Sequence, residues 1–479
     1  MGTLEQFLKF EKDNDLFSRK YCEENYWQLL RNYIYRRITE NPDIIETPQM
    51  LARSAQGLSA EKIMILMKTL RYAIQHYVSP KPKSANVLIL DISRYLDVDG
   101  VRQHVFFDPI RERLTCESVY VVFNYVLPLT RKQPNIAPYM LKYYFCLVYA
   151  KTFRIYIDQE EGVFLDSLQQ LLKQEFEVKI PLEPIVREDV IFIKSISKYA
   201  KSLLQKVNPK AVLRQGHNRQ TLVITKEAKS LGIPVIELQH GVITKENIVY
   251  NYLDTIGSKI YSPNYLFTYG DYWSENIRTP QDTKVITVGY HYFESRMKKL
   301  RGIKKQDNLI VFYSNFNRYI INILLAMNQQ AKEHNYKIIC KMHPGETMWR
   351  SYYPELAESD IQVIDTRMDV YELLMSARHH VGGTSTVLFE AVGTGGGIHV
   401  HLSGKSILSD MIRAGAAKEF SSAEELMHNI LKMDKRDSGR VDNSLIASYL
   451  FAPNALQNQL NSINSIIQNP LFALVNPLS

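Results

Sequence analysis

The chain has 479 residues, a length that accommodates two domains, each with its own core. A 45% hydrophobic and 23% charged composition excludes a disordered chain, and no apolar run reaches the ~18–20 residues of a membrane-spanning helix. The net charge of +8 comes with no nucleic-acid recognition module, and the 4 cysteines have no metal or redox spacing, which predicts reduced, buried thiols in a cytoplasmic compartment.

The opening stretch, Met1-Gly-Thr-Leu-Glu-Gln-Phe-Leu-Lys-Phe10, turns charged at once, unlike a secretory leader. Residues 1–80 read as helices. Tyr26-Trp-Gln-Leu-Leu-Arg-Asn-Tyr-Ile-Tyr-Arg-Arg-Ile38 has apolar residues at helical spacing, and Ser59-Ala-Glu-Lys62 offers a helix start. This block is expected to pack on its own domain rather than on lipid or a ligand. Apolar strand-like runs follow at Asn86–Ile92, Val119–Phe123, Phe153–Ile157, Ala211–Arg214, Ile233–Leu238, Tyr265–Gly270 and Lys284–Gly289. Helix-length spacings between most of them predict a parallel sheet with crossovers, an α/β domain over 81–295. Asp97-Val-Asp-Gly100 reads as a turn.

Arg296-Met-Lys-Lys-Leu-Arg-Gly-Ile-Lys-Lys305 is strongly basic. It is expected to be a solvated linker, with attraction to an anionic membrane surface as the functional alternative. A second α/β alternation occupies 306–440, with strands at Asn308–Phe312, Tyr336–Cys340, Ile361–Ile364, around Val381 and at Gly395–Leu402, and a helix at Tyr319–Glu333. Residues 441–479 read as amphipathic helices.

Two clusters in this second half carry chemistry. Lys341-Met-His-Pro-Gly-Glu346 ends one strand, and Gly382-Gly-Thr-Ser-Thr-Val-Leu-Phe-Glu390 ends another and opens a helix. Polar clusters at the carboxyl ends of neighbouring parallel strands converge on the crevice where open α/β sheets bind ligands. Pro344 forces a turn that fixes His343, whose imidazole can donate to a phosphate. Lys341 lies on the same strand face. Gly383, Thr384, Ser385 and Thr386 put hydroxyls and N–H groups at a helix start, as anion ligands or plain caps. Glu390, four residues past Thr386, is placed for a sugar hydroxyl. Together these features point to a nucleotide-sugar.

In the first half, Gln239-His-Gly241 ends a strand. Gly241 permits close backbone approach or positive φ, and His240 is a candidate base for an acceptor hydroxyl. Arg214, Gln215, Gly216 and His217 end the preceding strand and are expected to line the same wall. Glu160-Glu-Gly162 is an acidic loop whose adjacent carboxylates raise one another's pKa, which suits a base near neutrality.

Over 205–402 the chain resembles GT-B glycosyltransferases, and more narrowly the bacterial surface-polysaccharide enzymes: capsule and lipopolysaccharide sugar transferases, His-Pro-motif sialyl- and polysialyltransferases, and teichoic-acid polymerases. The resemblance implies two Rossmann-like domains facing a central cleft, here with extra N-terminal helices, and a terminal helix crossing back to the first domain. It implies inverting, metal-independent transfer without a cofactor, from a nucleotide-sugar donor (CMP-linked acidic sugar favoured, UDP-sugar open) to an oligosaccharide or lipid-linked glycan at the inner face of the cell membrane. The sialyltransferase likeness makes Glu161 the base; the teichoic-acid and capsule likeness makes it His240. Non-hydrolysing UDP-GlcNAc 2-epimerases share this fold and a similar glycine-rich loop with a nearby Glu, so an isomerase is the alternative. A nucleotide- or glycan-binding scaffold without catalysis is the third.

Overall fold

The computed structural model describes residues 3–39, 84–91, 95–98, 100–122, 158–254, 259–364, 369–402, 407–435 and 443–468. The expected strand Phe153–Ile157, the helix start at Ser59, and Cys146 lie outside them.

Among the described residues, the first sheet has six strands: β1 (Val87–Asp91), β2 (Ser118–Val122), β3 (Ala211–Gln215), β4 (Val235–Leu238), β5 (Tyr265–Thr268) and β6 (Lys284–Thr287). They are all parallel, in the order β6-β5-β4-β3-β1-β2. The second sheet comprises β7 (Gln306–Tyr313), β8 (Lys337–Lys341), β9 (Gln362–Ile364), β10 (Ala377–Gly382), β11 (Gly397–His401) and β12 (Lys418–Phe420). It is also parallel, in the order β9-β8-β7-β10-β11-β12. Central strands buried on both faces read as continuous apolar runs, which is why they were visible in the sequence. In the second sheet the chain walks outward from β7 to β9, then returns to the other side at β10. The switch point therefore lies between β7 and β10, where such sheets bind ligands at their carboxyl ends.

The N-terminal helices are built into the first domain. Helices α1 (Thr3–Asp13) and α2 (Trp27–Thr39) share one apolar cluster with α3 (Gln159–Phe176) and α4 (Leu182–Val207). Buried Arg31 of α2 pairs with Glu11 of α1 at 2.7 Å and donates to the carbonyls of Ile248 and Asn251 at 2.6 and 2.9 Å. Helix α5 (Arg219–Ser230) covers β3 and β4.

In the second domain, α6 (Arg318–Glu333) buries the stripe Ile320, Ile321, Leu324, Met327 and Ala331, and Asn317 caps it by accepting from the N–H groups of Tyr319 and Ile320. Helices α7 (Val370–Ser376) and α8 (Thr386–Ala391) flank β10, and α9 (Ala423–Lys435) packs on α6.

The 296–305 stretch is not a free linker. Arg296 is 5% exposed, belongs to the helix His291–Lys299, and pairs with Asp369 of the second domain, while Lys305 donates to the carbonyl of Ala377 at 2.9 Å. Lys298, Lys299, Arg301 and Lys304 stay exposed. One hydrophobic cluster runs through both domains, from Leu266, Trp273 and Phe293 to Tyr371 and Phe389. The terminal helices α10 (Ser444–Leu450) and α11 (Ala455–Gln468) reach the first domain, and α10 also packs on Val392–Thr394 of the second. Trp273 Nε1 donates to the carbonyl of Leu450 at 2.6 Å, and the carboxylate of Glu294 accepts the N–H groups of Asn454 and Ala455 at 2.9 and 2.8 Å, capping α11 from outside.

Gly100 has φ +76° between the paired strands Tyr95–Val98 and Val101–His104; Asp97 and Val98, read as part of a turn, belong to the first of these strands. Of the cysteines expected to be buried, Cys340 is, while Cys116 is half-buried and Cys22 exposed. No described helix is long and apolar enough to cross a membrane.

Candidate functional site

Three loops leave the carboxyl ends of the adjacent strands β8, β7 and β10: residues 342–346, 314–317 and 383–386. The middle loop, unmarked in the sequence reading, joins the other two. Asn315 Nδ2 donates to Thr384 Oγ1 at 3.1 Å, and the ring of Phe316 stands 5.1 Å from that of His343. A Cβ on Gly383 would fall 2.7 Å from Asn317 Nδ2, so a larger residue there would displace the Asn317 side chain. Two helices begin here, α6 capped by Asn317 and α8 capped by Ser385, which accepts from the N–H of Val387 at 3.4 Å. Their positive ends flank the switch point and favour an anion.

His343 and Pro344 are exposed. His343 Nδ1 accepts from the N–H of Gly345 at 3.0 Å, so the neutral ring carries its proton on Nε2. Lys341 is buried, with Nζ on the carbonyl of Met342 at 3.0 Å, so it braces the turn from beneath. Thr384 is exposed and Thr386 half-buried. Glu346, quoted in the motif but given no role, is 1% exposed and holds the turn. It accepts from the N–H groups of His343 and Phe316 at 2.8 and 3.0 Å, from Tyr353 Oη at 2.9 Å, and from Ser314.

Glu390 departs from the exposed position expected of a sugar contact. It is 6% exposed and hydrogen-bonded to the buried Tyr371, and burial raises its pKa to about 8.

The first-domain residues require more correction. Arg214 does not line a wall: it is fully buried, paired across the β3–β4 register with Glu237 at 2.6 Å and donating to Thr225 at 2.9 Å. Tyr250 Oη completes the group by donating to Glu237 at 2.8 Å. Gln215 is fully buried. His217 sits 3.5 Å from Glu237 and edge-on to Tyr250, and burial, then the charge of Arg214, lowers its pKa well below the usual range. It opens on a pocket of about 150 Å³ shared with Asn32, Tyr33 and Arg36 of α2, lined by no second-domain residue among those described. Gln239 is 1% exposed and braces its own loop, accepting from the N–H of Tyr269 and donating to the carbonyl of Gly241, both at 2.8 Å. His240 is half-exposed at the carboxyl end of β4. Gly241 needs no positive φ, and a Cβ there would meet no atom within 4 Å.

Glu161 is not on an acidic loop. It lies in the first turn of α3, 6% exposed, accepting from Tyr26 Oη at 2.5 Å, and burial raises its pKa. Its helix belongs to the N-terminal cluster.

Side chains leaving the carboxyl ends of the two sheets meet. Trp273, just past β5, lies 4.9 Å between centroids from Phe389 of α8, and Tyr292, just past β6, lies 5.6 Å from Tyr371 of α7.

No family model matches the chain, and no curated protein matches it. Among solved structures, a UDP-GlcNAc 2-epimerase from Neisseria meningitidis bound to UDP-GlcNAc is 15% identical, with 80% of this chain and 99% of that chain covered and a TM-score of 0.47. The enzyme from Methanocaldococcus jannaschii, in complex with UDP-GlcNAc and UDP, is 13% identical over 79% of this chain and 99% of that one, TM-score 0.46. The calicheamicin glycosyltransferase CalG4 is 10% identical over 83% and 100%, TM-score 0.44. The two facing parallel-sheet domains, the arrangement named GT-B, are read from the chain's own strands.

Proposed function

We propose that this protein is a glycosyltransferase that holds a nucleotide-sugar between its two domains. The observation that carries the reading is the convergence of His343, the 314–317 turn and the Thr384–Ser385 hydroxyls at one switch point, beside two helix starts. A phosphate seated there meets N–H groups, hydroxyls and the Nε2 proton of His343. These groups offset the charge that grows on the leaving phosphate as the anomeric bond breaks.

Between the two candidate bases, His240 is favoured. It is half-exposed at the end of β4, beside the open ground over Gly241. Glu161 is buried against Tyr26, and a base must touch the proton it removes. His240 takes the acceptor's proton while the hydroxyl attacks the anomeric carbon, with inversion. Setting Glu161 aside also removes one of two supports for a CMP-linked donor, so the nucleotide is left to measurement. The acceptor class stays that of the resemblance, a surface glycan, with Lys298, Lys299, Arg301 and Lys304 as the cations that would meet an anionic membrane.

Thermal shift against CMP, UDP, GDP and CDP tests the reading, because a ligand at 100 times its Kd adds about 2.7 kcal/mol. One nucleotide is expected to stabilise the wild type and to lose its effect on His343→Ala. No stabilisation by any of the four defeats the proposal. Conversion of UDP-GlcNAc to its 2-epimer without an acceptor would replace transferase by isomerase.

A further inference from the structure

We propose that Glu346 is the positioning residue of this site: its one buried carboxylate sets the shape of two turns and so presents His343 and Asn315 to a common ligand. The inference rests on the nucleotide-sugar reading above for the identity of that ligand.

The carboxylate is divided between the turns. Oε2 accepts from the N–H of His343 at 2.8 Å and from the hydroxyl of Ser314; Oε1 accepts from the N–H of Phe316 at 3.0 Å and from Tyr353 Oη at 2.9 Å. Ser314 Oγ also lies 3.1 Å from the N–H of His343. One acid thus joins the loop after β8 to the loop after β7.

The second loop needs such a hold. Asn315 and Phe316 are consecutive left-handed residues, with φ of +46° and +58°. Neither is glycine, and side chains resist that conformation. A turn that is unfavourable by itself persists only when its surroundings fix it. Here it is fixed at one end by the Asn317 cap of α6 and in the middle by Glu346 on the N–H of Phe316.

What the turn delivers is functional geometry. It carries Asn315 Nδ2 to Thr384 Oγ1, on the third loop, and lays the Phe316 ring beside His343. The same acid holds the backbone N–H of His343 while Nδ1 of the ring takes the N–H of Gly345. Glu346 is 1% exposed, so it acts through these groups and does not touch the ligand.

The test uses the full chain. Amide hydrogen exchange is followed in wild type, Glu346→Gln and Tyr353→Phe, and nucleotide affinity is measured by titration with CMP and UDP. Gln has one acceptor oxygen where Glu has two, so whichever way the amide turns one of the two N–H groups loses its bond, and the tie that holds the turns to each other goes with it. Exchange at His343 and Phe316 is expected to rise about tenfold or more in Glu346→Gln, with the rest of the chain unchanged, and affinity for the bound nucleotide to fall about tenfold, as for loss of a charge-assisted hydrogen bond. Tyr353→Phe, which leaves both turns their bonds, is expected to change affinity less than about threefold.

Unchanged exchange in either turn overturns the inference. So does a rise spread over the whole chain, or loosened turns with affinity intact. If the wild type binds neither nucleotide while Glu346→Gln still loosens both turns and nothing else, the coupling of the turns stands and the functional reading falls. If Glu346→Gln does not fold, Glu346→Asp gives the same test, since a side chain one methylene shorter cannot span the N–H groups of His343 and Phe316 and must loosen the turns.

Discussion

Arg214 shows how one residue can be read correctly as polar and strand-ending and still be assigned the wrong work. Its guanidinium is spent on Glu237 and Thr225 beneath the sheet, in a site with no exposure at all. Removing one partner of a buried pair strands the other charge at a cost of about 3–5 kcal/mol. Arg214→Met is therefore expected to lose that much in urea unfolding, whereas an arginine on an open wall would lose under about 1 kcal/mol. The sequence held no local sign of this, because Glu237 and Tyr250 reach Arg214 only after strands pair. Glu346 escaped for a related reason: an acid after a His-Pro-Gly turn reads as solvated until its partners on two loops are placed. By contrast, the placement of His343, Thr384 and Ser385 past strand ends and at a helix start was legible, since those boundaries can be located from apolar runs alone.

Glu390 gives a second residue-scale prediction. Its folded pKa of about 8 lies above the ordinary 4.5, so the folded chain keeps a proton that the unfolded chain releases between those values. The stability linked to it is fully present below pH 4.5 and is lost as pH rises through about 8. Glu390→Gln cannot ionise. Its advantage over wild type in urea midpoint experiments is expected to grow by up to about 1.4 kcal/mol per pH unit across that window. A gap independent of pH would show that the carboxyl is not held neutral.

At the scale of elements, the parallel strands were legible because both faces are buried, and the recovered boundaries differ mostly by one or two residues. Expected Ala211–Arg214 is observed as Ala211–Gln215, and Asn308–Phe312 as Gln306–Tyr313. β12 was missed: it is three residues long, Lys418-Glu-Phe420, with only Phe420 buried, too little for an apolar run. The docking of the terminal helices, which the resemblance implied, left no sign in the residues of those helices, because it depends on two glycines far away in the chain. A Cβ on Gly270 would stand 2.3 Å from the carbonyl oxygen of Tyr449, and one on Gly289 2.4 Å from that of Ala452. Backbone cannot move aside as a side chain can. Gly270→Ala is expected to cost about 1–3 kcal/mol, the range for overpacking, and to expose the segment after residue 443 to protease while the second sheet stays protected. Cleavage at the wild-type rate would show that α10 does not depend on that contact.

For the whole molecule, the question is whether two sheets make two folding units. Separate cores were expected from length, with a solvated basic linker between them. Instead the first sheet's Trp273 and Phe293 join Tyr371 and Phe389 in one cluster, Arg296 pairs across the seam with Asp369, and α10 touches both halves through Trp273 and Gly393. Interfaces this apolar do not behave as loosely tethered domains. Calorimetry is expected to show a single unfolding transition. Trp273 is the residue on which the seam depends most: it is fully buried, touches Phe389 and Phe451, and bonds to Leu450. Trp273→Ala opens a cavity worth about 3–5 kcal/mol at the point where the halves meet. The expected result is a lower first transition that separates from a second, as each sheet unfolds with its own helices. Two transitions already present in the wild type would mean that the shared cluster does not couple the sheets. A ligand gripped by the second domain alone would then have no way to draw the first domain's His240 toward it.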